Sequence, residues 1–460
     1  MSGDRHGTSP APPHGVRLRE ATKVWAGIGL NSFGGPAGQI SVMHRELVER
    51  RRWVSEHRFL HALNYCMILP GPEAQQLATY IGWLMHGVPG GVVAGALFVL
   101  PGFLTMLVLA ASYAVFGSVV WVAGLLFGIQ AAVVAIVAEA VGRIGRRTLR
   151  TAALRCVAAG SFVAIFLLAV PFPLIVAAAA AFGWWGEHRR PGWFPLGAAA
   201  DTSSGDEAPA LLPDRESLDV AVARRARRAA AVCAVLWLVP VAVLIVTLGS
   251  ANIFAQEAWL FSKSAVITFG GAYAALSYVA QQAVGGYGWI GPRDMITGLG
   301  LAETTPGPLV LVLEFVGFLA AYDRPGTLPP LLAGALGAVL TAWVTFVPCL
   351  LFIFAGAPYV ERLRSSISLS HALTAITAAI AGVVLNLAVW FAVHTAFATV
   401  DDKQFGPLHL TVPVWSTVRV ASVAISAAAA VAIFRFKAST LRVLGAAALL
   451  GAVAALAHLR

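Results

Sequence analysis

Leu69-Pro70-Gly71-Pro72-Glu73-Ala74-Gln75-Gln76 interrupts an apolar stretch over 59–86, and Thr305-Pro306-Gly307-Pro308 interrupts another over 295–321. Proline removes a helix donor, clashes with the preceding turn and pushes the residue before it away from helix. Glycine then permits backbone geometry that other residues resist. Each Pro-Gly-Pro therefore breaks a helix inside an apolar segment. Thirty-seven residues upstream of each lies a Phe-Gly-Gly, at Phe33-Gly34-Gly35 and Phe269-Gly270-Gly271. One offset, 236 residues, relates the two copies and also aligns Trp53 with Trp289 and Ser32 with Thr268. The pattern reads as an internal duplication with a helix break at the centre of each half.

The composition sets the solvent. Of 460 residues, 58% are hydrophobic and 12% charged, with a mean hydropathy of +0.77. Soluble domains carry about 25% charged residues, so this is an integral membrane protein in a lipid bilayer. Residues 1–16 are rich in Pro, Gly, Ser and His without a cleavable-leader pattern; a disordered tail is expected over 1–18. The net charge of +10 comes from arginines clustered between apolar segments, the arrangement that orients membrane proteins. No nucleic-acid partner is expected. Cys66, Cys156, Cys233 and Cys349 are scattered singly, so neither a metal cluster nor a disulfide framework is indicated. No phosphate-binding loop or hydrolase motif is present, so neither an ATP-driven pump, an enzyme nor a cofactor is expected.

A spanning helix needs roughly 20 apolar residues. Thirteen apolar segments can be read: 24–43, 59–86, 88–115, 117–141, 156–170 and 171–186, then 229–249 alone, then 257–283, 295–321, 330–357, 371–397, 413–435 and 441–458. The expected fold is an all-α polytopic membrane protein. It divides into a first repeat over 19–186, a cytoplasmic loop over 187–228, a linking helix over 229–249 and a second repeat over 250–460. One odd element between two similar halves turns the second copy over, giving inverted-topology repeats.

The charges agree with that inversion. Loop 44–58 carries Arg45, Arg50, Arg51, Arg52 and Arg58, whereas its copy at 280–294 has only Arg293. Loops 142–155, 187–228 and 358–370 are also basic, while Asp401 and Asp402 lie in a loop expected outside. Every basic loop falls on one side only if 24–43 and 59–86 enter and leave the membrane on the same face. The same holds for 257–283 and 295–321 from the other face. The motif pairs are therefore expected to be re-entrant or discontinuous helices that meet from opposite sides.

A helix that starts inside the membrane points its free N–H groups and positive dipole end inward, which favours an anion. The candidate binding residues are accordingly Pro70, Gly71, Pro72, Pro306, Gly307 and Pro308, with Gly34, Gly35, Gly270 and Gly271 beside them. Glu73, Gln76 and Tyr80 share one helical face after the first break. Ionisable residues at such depth are functional candidates by default, which adds Glu73, Glu303 and Lys263. Glu73 either caps its helix or exchanges protons. Glu139 and Arg143 read as a helix-end ion pair. His57 and His61 have metal-pair spacing but no third ligand and read as surface. Gly91-x-x-x-Gly95 and Gly124-x-x-x-Gly128 read as helix-packing motifs.

Phe33-Gly34-Gly35-Pro36, with Leu69-Pro70-Gly71-Pro72-Glu73-Ala74-Gln75-Gln76-Leu77-Ala78-Thr79-Tyr80-Ile81-Gly82-Trp83, resembles the chromate transporter family in its long, two-domain form. Phe269-Gly270-Gly271 with Thr305-Pro306-Gly307-Pro308 resembles that family's second-half copy, so the likeness covers roughly 19–186 and 250–460. The resemblance implies an inner-membrane protein that exports chromate and confers resistance without ATP hydrolysis, and the positive-inside reading puts its basic N-terminus in the cytoplasm. The family commonly has glutamine three residues before each Pro-Gly-Pro; here Met67 and Glu303 stand there. The cargo is thus left open between chromate and a sulfate-like oxyanion, and the mode between a carrier and a passive anion channel. A homodimer is one assembly consistent with such a chain.

Overall fold

The computed structural model describes residues 15–189, 193, 211, 220–359, 367–406 and 408–457. Most of the N-terminal tail, most of the 187–228 loop including Asp201 and Asp206, and Arg362 and Arg364 lie outside the described residues. The first half holds α1 (Leu18–Asn31), α2 (Gly35–His44), α3 (Glu56–Cys66), α4 (Glu73–Phe116), α5 (Val120–Thr148), α6 (Ala152–Leu168) and α7 (Phe172–Arg189). Helix α8 (Val220–Leu248) follows. The second half holds α9 (Ile253–Ile267), α10 (Ala272–Ala280), α11 (Pro292–Thr304), α12 (Val312–Asp323), α13 (Pro330–Gly356), α14 (Ile367–Ala396), α15 (Val420–Phe434) and α16 (Thr440–Leu456). Both α2 and α10 continue into a widened π-helical turn, at Arg45–Arg50 and Gln281–Gly286, which stand 236 residues apart.

Among the described residues, α4, α5, α8, α13 and α14 are each long and apolar enough to cross a membrane. The chain is thus a multi-pass, predominantly helical membrane protein. Two boundaries differ from expectation. Helix α8 starts at Val220, so Arg224, Arg225, Arg227 and Arg228 lie in its first turns and not in a preceding loop. Residues expected as loop before segment 413–435 instead form an antiparallel hairpin, β1 (Val400–Phe405) with β2 (Leu408–Pro413), turning at Gly406 with φ 60°.

Helix α4 has 44 residues, about 66 Å at 1.5 Å per residue, far beyond a hydrocarbon core of about 30 Å. It resolves this by folding back. His86 and Gly87 leave the helical region, and Gly82 on the first leg lies so close to the second that a methyl there would meet the Gly90 carbonyl oxygen at 2.5 Å. Gly91 and Gly95 bring the second leg against Thr79 and Gln75 of the first and against Phe354 and Leu350 of α13. Gly124 and Gly128 of α5 pack on α16 at Gly451 and Ala447. Both glycine motifs are therefore packing sites.

The chain also reverses at each Pro-Gly-Pro. The Tyr65 ring on α3 lies 4.9 Å from the Tyr80 ring on α4, placing the two segments side by side. A methyl at Gly298 on α11 would sit 2.5 Å from the Phe315 ring on α12. The two hairpins extend from their reversals toward opposite ends of α13. Tyr65 donates to the Phe352 carbonyl near the C-terminal end of α13, whereas Gly317 and Ala321 of α12 pack on Gly337 and Thr341 in its first half. One apolar core runs through both halves, with α5 packed on α15 and α16, and α14 packed on α6 and α7.

Candidate functional site

Four breaks converge beside the middle of α4 and α13. Gly34 and Gly35 (φ 83° and 71°) end the first break, and Gly71 (φ 108°) turns the second. Gly270 and Gly271 (φ 81° and 89°) form the third, and Gly307 (φ 86°) turns the fourth. A side chain at these angles is strained, which accounts for the glycines. Gly71 also abuts Cys349 of α13, and Gly307 abuts the Phe98 carbonyl of α4.

The breaks are fastened in reciprocal pairs. The Gly71 amide donates to the Thr268 carbonyl at 2.9 Å, and the Gly307 amide donates to the Ser32 carbonyl at 2.8 Å. Donors and acceptors are both related by the 236-residue offset. Buried side chains satisfy other freed carbonyls: Gln76 Nε2 donates to Pro70 at 2.7 Å and Gln39 Nε2 donates to Gly307 at 2.5 Å. Pro72 caps α4, leaving the amides of Glu73, Ala74 and Gln75 in the first turn, where no intrahelical acceptor exists. Pro308 holds the same place before the 3-10 turn Leu309–Leu311.

Two carboxylates approach equivalent glycines from opposite halves. Glu73 Oε1 lies 3.5 Å from where a Gly271 side chain would begin, and Glu303 Oε2 lies 4.0 Å from that point at Gly35. Tyr273 donates to Glu303 Oε1 at 2.9 Å, and Glu303 is buried. Glu73 follows its Pro-Gly-Pro and Glu303 precedes its own, yet the fold brings both to the second glycine of the opposite Phe-Gly-Gly.

A small cavity lies between the halves, lined by Gly71, Ser264, Thr268, Gly271, Val310 and Thr345 among others. It has room for about one water molecule, so admitting a tetrahedral oxyanion requires the breaks to part. The structure does not bring Lys263 there. That lysine is exposed over the Trp259 ring, while its neighbours Ser264 and Ala265 line the cavity. Helix α9 is apolar on every side, so its sequence could not show which face turns inward.

Sequence reasoning missed four contributors. Gln39 is a buried amide in an apolar helix, a signal that was readable. Ser32 and Thr268 act through their backbone carbonyls, which residue type does not reveal. Arg147, from the basic end of α5, reaches to 3.2 Å from the sulfur of Met67 at the approach to the first Pro-Gly-Pro. Arg143 pairs with Glu139 one turn before it, as the spacing predicts.

The family model described as Chromate transporter matches residues 19–184 and 255–452, ranges that contain all four breaks. A chromate transport protein of Pseudomonas aeruginosa is 34% identical over 351 residues, covering 75% of this chain and 74% of its own. A probable chromate transport protein of Synechococcus elongatus is 27% identical over 372 residues, covering 81% and 84%. A chromate transport protein of Cupriavidus metallidurans is 26% identical over 379 residues, covering 81% and 82%. No solved structure matches the chain. With the model covering most of the sequence and both halves of the site, the chain belongs to the chromate transporter family.

Proposed function

We propose that this protein is a secondary transporter that exports chromate, a tetrahedral oxyanion, across the plasma (inner) membrane and so confers chromate resistance. The observation that carries this is the reciprocal fastening of two helix breaks, Gly71 to Thr268 and Gly307 to Ser32, beside two helix starts. Helix starts offer N–H groups and about half a positive charge each, matched to an oxyanion. Two such starts fall short of a dianion's charge, and Arg147 at the approach supplies a further cation.

The 236-residue offset and the two hairpins extending toward opposite ends of α13 support two inverted repeats, over 19–186 and 250–460. In that arrangement the basic loops and the N-terminus face the cytoplasm. Parting one fastened pair opens the cavity to one side, and parting the other opens it to the opposite side, which is alternating access.

The membrane potential suffices as a drive. Moving two negative charges out of a cell at 100 mV contributes about 4.6 kcal/mol, at about 2.3 kcal/mol per charge. Each 1.4 kcal/mol sustains about a tenfold gradient. Export should survive ATP depletion while the potential is held and collapse when an ionophore abolishes it. Export that needs ATP at zero potential would overturn the proposal.

A further inference from the structure

Two acidic side chains lie outside the site described above. Glu257 on α9 and Glu314 on α12 are both buried, and none of their four carboxylate oxygens has a hydrogen-bond partner among the described residues. An isolated buried charge is among the costliest features a fold can hold, and such groups in a membrane interior mark function. Neither has a counterpart in the first half, where the 236-residue offset places Ala21 and Ala78. They are an addition to the duplicated plan.

Both face the junction of α9, α12 and α13. Glu257 Oε2 lies 3.1 Å from where a side chain at Gly337 of α13 would begin. Glu314 shares a face of α12 with Gly317 and Ala321, and those two pack directly on Gly337 and Thr341. From this junction a line of orphaned hydroxyls runs to the cavity. Thr341, Thr345 and Ser264 are each over nine-tenths buried, and none of their Oγ atoms has a partner among the described residues. Thr345 and Ser264 line the cavity itself, beside Gly71 and Gly271. Glu257 and Ser264 fall at i and i+7 on α9, with Thr268 at its C-cap, while Thr341 and Thr345 are one turn apart on α13.

Among the described residues, no cation offsets either carboxylate. On the packed elements, α13 contributes only Cys349 among titratable groups, and α10 contributes Tyr273 and Tyr278. Tyr273 is bound to Glu303 of α11, and Tyr113 of α4 is bound to Asp294 of α11. Glu73 of α4 stands at Gly271, and the Arg293 guanidinium bonds the Ala398 carbonyl. Asp323 lies at the far end of α12 beside Arg324, and Lys263 of α9 is exposed. Arg224, Arg225, Arg227 and Arg228 occupy the first turns of α8, the end remote from its connection to α9. Only two acidic groups meet here, and no group of three or more His, Cys, Asp or Glu that could hold a metal ion occurs among the described residues. A proton demands only one acidic group.

We infer that Glu257 and Glu314 form a proton-binding pair linked to the cavity through Thr341, Thr345 and Ser264, and that oxyanion binding there takes up protons onto the pair. A dianion in the cavity repels carboxylate charge, so the loaded site shifts each acid further toward its neutral form and takes up protons over the pH range in which the empty site is ionised. The protons come from cytoplasmic water and return to it when the anion leaves, so the anion still carries its two charges across; no bond other than O–H changes. The assignment rests on the oxyanion reading of the cavity.

The test is equilibrium dialysis of labelled chromate against the purified full-length protein across about pH 7.5–9. Linkage makes the dissociation constant rise by up to about tenfold per pH unit for each proton taken up. The wild type should show such a slope, E257Q and E314Q should each reduce it, and E257Q/E314Q should be flat with binding retained. E257D and E314D should keep it, which separates proton binding from packing. A flat wild-type profile, or a double variant with the wild-type slope, overturns the linkage. Should no chromate bind at any pH, the oxyanion reading falls and the linkage with it.

Discussion

The Gly71 amide and the Thr268 carbonyl oxygen stand 2.9 Å apart across the two halves, and the same bond recurs between their counterparts at the 236-residue offset, Gly307 and Ser32. Both glycines hold angles that disfavour any side chain. A side chain at Gly71 would begin 3.0 Å from Cys349 Sγ and 3.2 Å from Gln76 Nε2, and one at Gly307 would begin 3.1 Å from the Phe98 carbonyl. Backbone strain at such positions costs about 1–3 kcal/mol, to which these contacts add.

Gly71→Val and Gly307→Val should therefore abolish transport, by at least tenfold in initial rate, while the protein still inserts. Fluorescence-detected size exclusion of tagged variants reads insertion, and labelled chromate flux reads transport. Normal flux in both variants would remove the breaks from the pathway.

Arg147 and Lys263 make opposite predictions. Arg147 stands at the approach to the first break, and Lys263 lies over Trp259 on an exposed face. Arg147→Gln should raise the KM for chromate about tenfold, since a charge near a partly buried anion contributes on the order of 1–2 kcal/mol. Lys263→Met should change it less than twofold. A reversed order of effects would return the cationic role to Lys263.

The breaks were legible because proline and glycine act locally, and their fixed spacing announced the duplication before any helix was placed. The facing of residues was not. Helix α9 is hydrophobic all round, so neither the inward turn of Glu257 nor the outward turn of Lys263 is encoded in its periodicity. Backbone acceptors such as Ser32 and Thr268 are invisible to any reading by side-chain type. The hairpin at Val400–Pro413 was hidden because Thr411, Val412 and Pro413 adjoin an apolar helix and lengthen its hydropathic signal. The arginines of α8 were assigned to a loop by their charge, although an amphipathic first turn holds them equally well.

Glu303 occupies the position where the family commonly carries glutamine, and Tyr273 donates to it. A carboxylate bound to Tyr273, the residue after the cavity-lining Ala272, opposes a dianion. Glu303→Gln should keep the Tyr273 contact, remove the charge and lower the KM for chromate by about 3–10-fold, or about 0.7–1.4 kcal/mol. Titrating flux against chromate concentration measures it. An unchanged KM would mean that Glu303 carries no charge when the anion is bound.

Topology is checked by single cysteines in a background freed of Cys66, Cys156, Cys233 and Cys349. Cysteines replacing Arg51 and Arg150 should react with an impermeant maleimide only from the cytoplasmic side, and cysteines replacing Gly285 and Gln404 only from outside. Labelling of positions 51 and 150 from opposite sides would exclude the re-entrant arrangement of α3 and the first leg of α4.

The most direct measurement is the uptake of labelled chromate into everted membrane vesicles, with and without a lumen-positive potential, in the wild type and in the Gly71→Val/Gly307→Val double variant. Potential-driven accumulation, reduced by excess sulfate and lost in the double variant, is the predicted result. Equal uptake by wild type and double variant, or wild-type uptake indifferent to the potential, would contradict an oxyanion path through the paired breaks.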